Sequence, residues 1–142
     1  MLDNYRDLID ELLGTPSTLR ALVADRGDRG VPAEAATLLA ELRDRDLAVL
    51  QRLQTMTRQR DPYLRAIASP VPTPGEDAAV VLQGFESARG EVVSLLMNLT
   101  LRDWERTAID ETEGELTLSE EVERHVEFDE AHLARLQELL GR

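Results

Sequence analysis

The segment from Leu116 to Leu136 constrains this chain more than any other part. It reads as one amphipathic helix with three polar residues inside its apolar stripe. At about 100° per residue, Leu118, Val122, Val126, Leu133, Leu136 and Leu140 share a face, and His125, Asp129 and His132 fall within the same arc. His125 and His132 are the only histidines present. A polar group on a core-facing stripe must find a partner or cost stability. The pattern therefore implies either a buried hydrogen-bonded network or a metal site, inside a fold whose other helices cover this one.

Those helices can be placed by period and by end signals. The first stretch carries Leu2, Tyr5, Leu8, Ile9 and Leu12, then Leu19, Leu22 and Val23. Gly14-Thr15-Pro16 interrupts it, with Thr15 a candidate N-cap and Pro16 tolerated at a first helical position; a kinked helix and two short ones both fit. The second starts near Pro32, after a turn-like run from Asp25 to Gly30, and ends around Arg60. Its stripe is Ala35, Leu38, Leu39, Leu42, Val49, Leu50, Leu53 and Met56. Thr73-Pro74-Gly75-Glu76 has capping-box spacing for the third, which carries Val81, Phe85, Ala88, Val92, Leu95, Leu96 and Leu99. Thr117 to Glu120 is a second capping box and opens the fourth. Between helices two and three, Asp61 to Pro74 holds four prolines. It reads as a crossover loop, with one helical turn at Tyr63–Ile67 as an option and a domain linker as the alternative. No stretch alternates with period two. The expectation is an all-α four-helix bundle, one domain over residues 1–142, whose long crossover suits a connectivity other than simple up-down-up-down. Gly84 and Gly90 lie inside the third helix, at a close approach, a pocket wall or a dimer crossing.

Composition removes several function classes. A formal charge of −12 argues against a nucleic-acid partner, because phosphate binding needs a basic patch. All sixteen basic residues are arginine, so lysine Schiff-base chemistry is excluded. Runs such as Glu41-Leu42-Arg43-Asp44-Arg45-Asp46 read as a solvated, salt-bridged face. With no cysteine there is no disulfide framework and no thiolate ligand or nucleophile. No apolar run approaches the roughly 20 residues of a membrane span, and Met1 to Asp7 is charged and amphipathic rather than a signal peptide. No membrane association and a cytoplasmic location are expected. No phosphate-loop or dinucleotide fingerprint occurs, and no serine has an elbow-type glycine context.

The block from Asn98 to Thr107, with Asp103-Trp104-Glu105-Arg106-Thr107 at its heart, resembles the connection before the fourth helix in the DinB-like family. Gly114-Glu115-Leu116-Thr117-Leu118 and the helix after it are similar to that family's entry and histidine-bearing helix. Upstream, Leu8-Ile9-Asp10-Glu11-Leu12-Leu13 looks like its first helix, and Leu38 to Asp44 looks like its second. The resemblance spans nearly the whole length. It implies a four-helix bundle, often a homodimer, with one divalent metal held by three histidines, one from helix two and two from helix four. Known members include thiol-dependent transferases and isomerases and presumed metal-dependent hydrolases.

Carried onto this chain, the three ligand positions are Glu41, Phe128 and His132. Only His132 keeps the family's residue. Phe128 cannot coordinate a metal, whereas a Glu41 carboxylate suits zinc, nickel or manganese. The best remaining donor set is Glu41, Asp129 and His132. His125 lies about 10 Å along the axis from His132, too far for both to hold one ion easily. The competing expectation is a silent network of His125, Asp129 and His132 with Arg45 or Glu41 across the bundle. Trp104, the lone tryptophan, reads as a core plug or as a pocket wall with Phe128. Three functions stay open: a DinB-like module without catalysis, binding no cofactor; a divergent metal-dependent hydrolase or thiol-dependent transferase, with His125 as general base; and a small-molecule carrier or sensor using the bundle cavity.

Overall fold

The computed structural model describes residues 2–68 and 75–141. Four long helices dominate: α1 (Leu2–Arg26), α2 (Ala33–Arg58), α3 (Ala78–Met97) and α5 (Leu118–Leu140), with a short α4 (Leu101–Trp104) before the last. Helices α1 and α2 each pack against both α3 and α5. The order around the bundle is therefore α1, α3, α2, α5, with the first two helices on a diagonal, which is the departure from up-down-up-down that the long crossover suggested.

Helix α1 is continuous through Pro16, so Thr15 is not a cap. Proline offers no N–H to the carbonyl four residues earlier, which leaves the Leu12 oxygen without its helical donor. Arg89 Nη1 from α3 donates to it instead, at 2.8 Å. Helix α5 opens on the expected capping box: Thr117 accepts from the Glu120 N–H and the Glu120 side chain accepts from the Thr117 N–H. A second box, Thr100 with Asp103, opens α4. The start of α3 differs from expectation. Asp77 is its N-cap, accepting from the Ala79 N–H at 2.9 Å, and Glu76 is drawn to Arg43 at 2.5 Å. Thr73 and Pro74 lie outside the described residues, as do Pro70 and Pro72.

A small sheet was not anticipated. β1 (Tyr63–Leu64), β2 (Thr107–Asp110) and β3 (Gly114–Thr117) pair in that order, β1 parallel to β2 and β2 antiparallel to β3. The first strand replaces the optional helical turn at Tyr63–Ile67. Strands of two to four residues are too short to display an alternating pattern. Leu64, Ala108 and Leu116 point into the core, so the sheet closes one end of the bundle.

The core falls into two apolar clusters. One holds Leu12, Val49, Leu53, Val92, Leu96, Trp104, Leu118 and Val122; the other holds Leu19, Leu39, Leu42, Phe85, Leu136 and Leu140. Trp104 is buried and stacks on Tyr5, with ring centroids 4.5 Å apart and planes 4° from parallel. It plugs the core, away from Phe128, which packs against the other cluster.

Candidate functional site

Between the two clusters, each long helix contributes a buried polar residue where its apolar stripe would continue. Thr15 lies between Leu12 and Leu19, Asp46 between Leu42 and Val49, Arg89 between Phe85 and Val92, and Asp129 between Val126 and Leu136; all four are buried, as is His125. Arg89 is the hub. Its Nε and Nη2 donate to Asp46 at 2.7 and 2.9 Å, and Nη2 and Nη1 donate to Asp129 at 2.6 and 3.2 Å. Thr15 Oγ1 donates to Asp129 Oδ2 at 2.5 Å. One guanidinium thus answers two carboxylates and the carbonyl that Pro16 freed. Burial pushes the Asp46 carboxyl up, but the His125 ring and the Arg89 guanidinium outweigh it and hold the group below the usual carboxylate range. The same carboxylates hold Arg89 far above any pH at which it could lose its proton, against the desolvation that opposes its charge. His125 Nε2 lies 2.8 Å from Asp46 Oδ1, at an angle that does not make a hydrogen bond, and neither ring nitrogen has another partner.

His132 belongs to a separate group. Its Nε2 is 2.8 Å from Glu41 Oε2, and its ring stacks on Phe128 with centroids 4.0 Å apart and planes at 22°. The Arg45 guanidinium lies over the same Phe128 ring, 4.6 Å from its centroid. Glu41, Phe128 and His132, the three positions given by the family resemblance, do converge. The set Glu41, Asp129 and His132 does not come together, because Asp129 turns to Thr15 and Arg89. Of His125, Asp129 and His132, the first two belong to one buried layer, His125 beside Asp46 and Asp129 on the Arg89 that joins both carboxylates, and only His132 stands apart, on Glu41.

The donor chemistry does not fit a bound divalent ion. At the three convergent positions the middle residue is an aromatic hydrocarbon, which leaves one carboxylate and one imidazole. Structural and catalytic sites hold zinc with at least three protein ligands. Among the described residues, no group of three or more histidine, aspartate or glutamate side chains is gathered closely enough to hold a metal.

A third polar group links α2, α5 and the sheet. Arg52 donates to Glu121 at 2.5 and 3.1 Å, to Asp110 at 2.6 Å and to the Arg65 carbonyl at 2.6 Å. Asp110 also accepts from the Thr112 and Glu113 N–H groups, both at 2.9 Å. Burial raises the Asp110 carboxyl, but Arg52 and these two N–H groups prevail and lower it. Sequence reasoning missed Asp46, Arg89, Arg52, Glu121 and Asp110. For the first two the signal was present, a charged residue at core spacing in α2 and in α3. It was lost because the run from Glu41 to Asp46 looks like a solvated face, yet Asp46 is fully buried.

Neither a family profile nor a curated protein sequence matches the chain. Among solved structures it is similar to YfiT from Bacillus subtilis, described as a probable metal-dependent hydrolase with an unusual four-helix bundle topology. The likeness covers 98% of this chain and 87% of that one, with a TM-score of 0.81 and 19% sequence identity. No described helix is long and apolar enough to cross a membrane. The chain has the YfiT-type, DinB-like four-helix bundle fold.

Proposed function

We propose that this protein is a DinB-like bundle whose metal position has been converted into a metal-free binding site, with no hydrolytic chemistry of its own. The observation that carries the reading is Phe128. It stands where the family resemblance implies a ligand, and both His132 and the Arg45 guanidinium pack on its ring. An aromatic face and a guanidinium thus occupy the place where a third donor would stand. His132 is held by Glu41 rather than left free to coordinate, and Asp129 is consumed by Arg89 and Thr15. A metal-dependent hydrolysis of the kind described as probable for the neighbour would need donors that the described residues do not gather.

Elemental analysis of protein purified without a histidine tag tests the reading. It predicts substoichiometric zinc, nickel and manganese, and one equivalent of any of them would overturn it. A homodimer forms part of the proposal. The resemblance suggests it, and Leu47, Val80, Met97 and Leu101 are exposed apolar side chains on α2, α3 and α4 that self-association would cover. Sedimentation is expected to give a dimer at micromolar concentration; a monomer there would remove this part and leave the site reading intact.

A further inference from the structure

Arg45 is anomalous in a chain with 28 acidic residues. Among the described arginines that are not exposed, Arg26, Arg43, Arg52, Arg89, Arg106, Arg124 and Arg135 each make an ion pair or a hydrogen bond. Arg45 makes neither. Its Nε is buried without a partner, and among the described residues its one specific contact is the face of Phe128 at 4.6 Å. Burial, the largest influence, lowers its affinity for its proton; Arg52 and Arg124 act in the same direction, while Glu121 and Asp46 oppose at longer range. A guanidinium carries five N–H donors in a planar fork, and leaving buried donors unmet is costly.

The side chain forms part of the wall of a cavity of about 220 Å³ between α2, α5 and the sheet, shared with Ile67, Thr112 and Arg124. The three carboxylates on that wall already face the other two arginines that line it. Asp110 and Glu121 are held by Arg52, and Glu113 lies 3.6 Å from Arg124. The cavity therefore presents one uncommitted cation, already stacked on an aromatic ring, with Ala66 and Ile67 beside it. It is smaller than the roughly 300 Å³ at which ordinary ligand pockets begin, so its occupant is small.

We infer that this cavity is a receptor for a small organic carboxylate, bound to the Arg45 fork with its hydrocarbon part against Ala66 and Ile67. A carboxylate matches the planar guanidinium through two parallel N–H···O bonds, and the stacked ring holds the fork in place before binding. The inference rests on the metal-free reading of the adjoining Phe128 position, which Arg45 shares, and names a ligand class for the cavity beside it: the fixed charge of Arg45 does for an anion what a bound cation does elsewhere.

The test follows the Arg45 Nε–H resonance by NMR, assigned from its loss in Arg45→Lys, in chelator-treated protein. Butyrate is the probe, butyramide its uncharged counterpart, and inorganic phosphate the rival anion. Butyrate is expected to shift the resonance saturably with a dissociation constant on the order of 1 mM, and butyramide to leave it still. Arg45→Lys should weaken butyrate binding at least about tenfold, since a point charge cannot replace the fork, while Arg102→Ala on α4 leaves it unchanged. No saturable shift, an equal response to butyramide, or tighter binding of phosphate than of butyrate overturns the inference. The backbone N–H resonances of Ala66 and Ile67, which line the cavity, are assigned in the wild type and followed in the same titration, so a variant that fails to fold does not blunt the test. Repeating it with zinc separates the two readings: butyrate binding that appears only with zinc sinks both, whereas silence indifferent to zinc sinks only the carboxylate receptor.

Discussion

Asp46 and Arg89 show why a charged residue can sit at the centre of this bundle. Neither is tolerable alone, since an unpaired buried ion costs several kcal/mol. Together with Asp129, Thr15 and the Leu12 carbonyl they leave no guanidinium nitrogen idle. Breaking the set from one side should be severe. Arg89→Met is expected to destabilise by about 3–5 kcal/mol at pH 7, read from urea unfolding; a loss under 1 kcal/mol would mean that the layer is solvated. Asp46 also gives the fold an acid limit. Its carboxyl is lowered in the folded state, so its contribution is complete above the unfolded value of about 3.9 and disappears as pH falls through the lower folded one. Asp46→Asn should then cost most near neutrality and progressively less in acid. A difference from wild type that stays constant from pH 7 to the acid limit would contradict the assignment. In the sequence, His125 and Asp129 were legible as interruptions because the α5 stripe around them is clean, whereas Glu121, beside Glu120 and Glu123, looked like part of a solvated face. The interruptions of α2 and α3 were not legible, since Arg45 and Asp44 beside Asp46 disguise it, and one arginine within α3 looks like an ordinary surface residue.

At the scale of elements, the ends are set by local chemistry and the middles by packing. The Thr117 box was readable because its two hydrogen bonds depend on residue type and spacing alone. The start of α3 was not, because Glu76 has a stronger use against Arg43 and the shorter Asp77 cap takes over. The sheet was invisible because its pairing is decided by which loops the bundle brings together. Thr117→Ala is expected to cost about 1 kcal/mol in thermal or urea unfolding, and no measurable loss would show that α5 is held by packing alone. The glycines of α3 divide. At Gly84 an added Cβ would meet Arg43 Cδ at 3.2 Å, whereas at Gly90 nothing lies within 4 Å. Gly90→Ala should therefore stabilise by about 0.5–1 kcal/mol through helix propensity. Destabilisation that grows with protein concentration would instead place Gly90 in a helix crossing between two copies.

Over the whole molecule, the bundle order α1, α3, α2, α5 brings Glu41 and Arg45 of α2 against Phe128 and His132 of α5. The period of the apolar residues gave the helices, but the diagonal placement of α1 and α2 came into view only through their packing. The three positions that the family resemblance gave are close in space, because the resemblance carries the spacing that such packing produces. Asp129, added to Glu41 and His132 because Phe128 cannot coordinate, has its side chain claimed by α3 through Arg89. If Phe128 alone separates this site from a metal site, restoring a ligand at that position restores the metal. The most direct measurement is a calorimetric zinc titration of the untagged wild type beside Phe128→His, which would place a third donor between Glu41 and His132. The variant is expected to take one equivalent of zinc, lost on acidification as the imidazoles protonate, while the wild type takes none tighter than about 1 mM. Stoichiometric, tight zinc binding by the wild type, abolished by His132→Ala, would contradict the account.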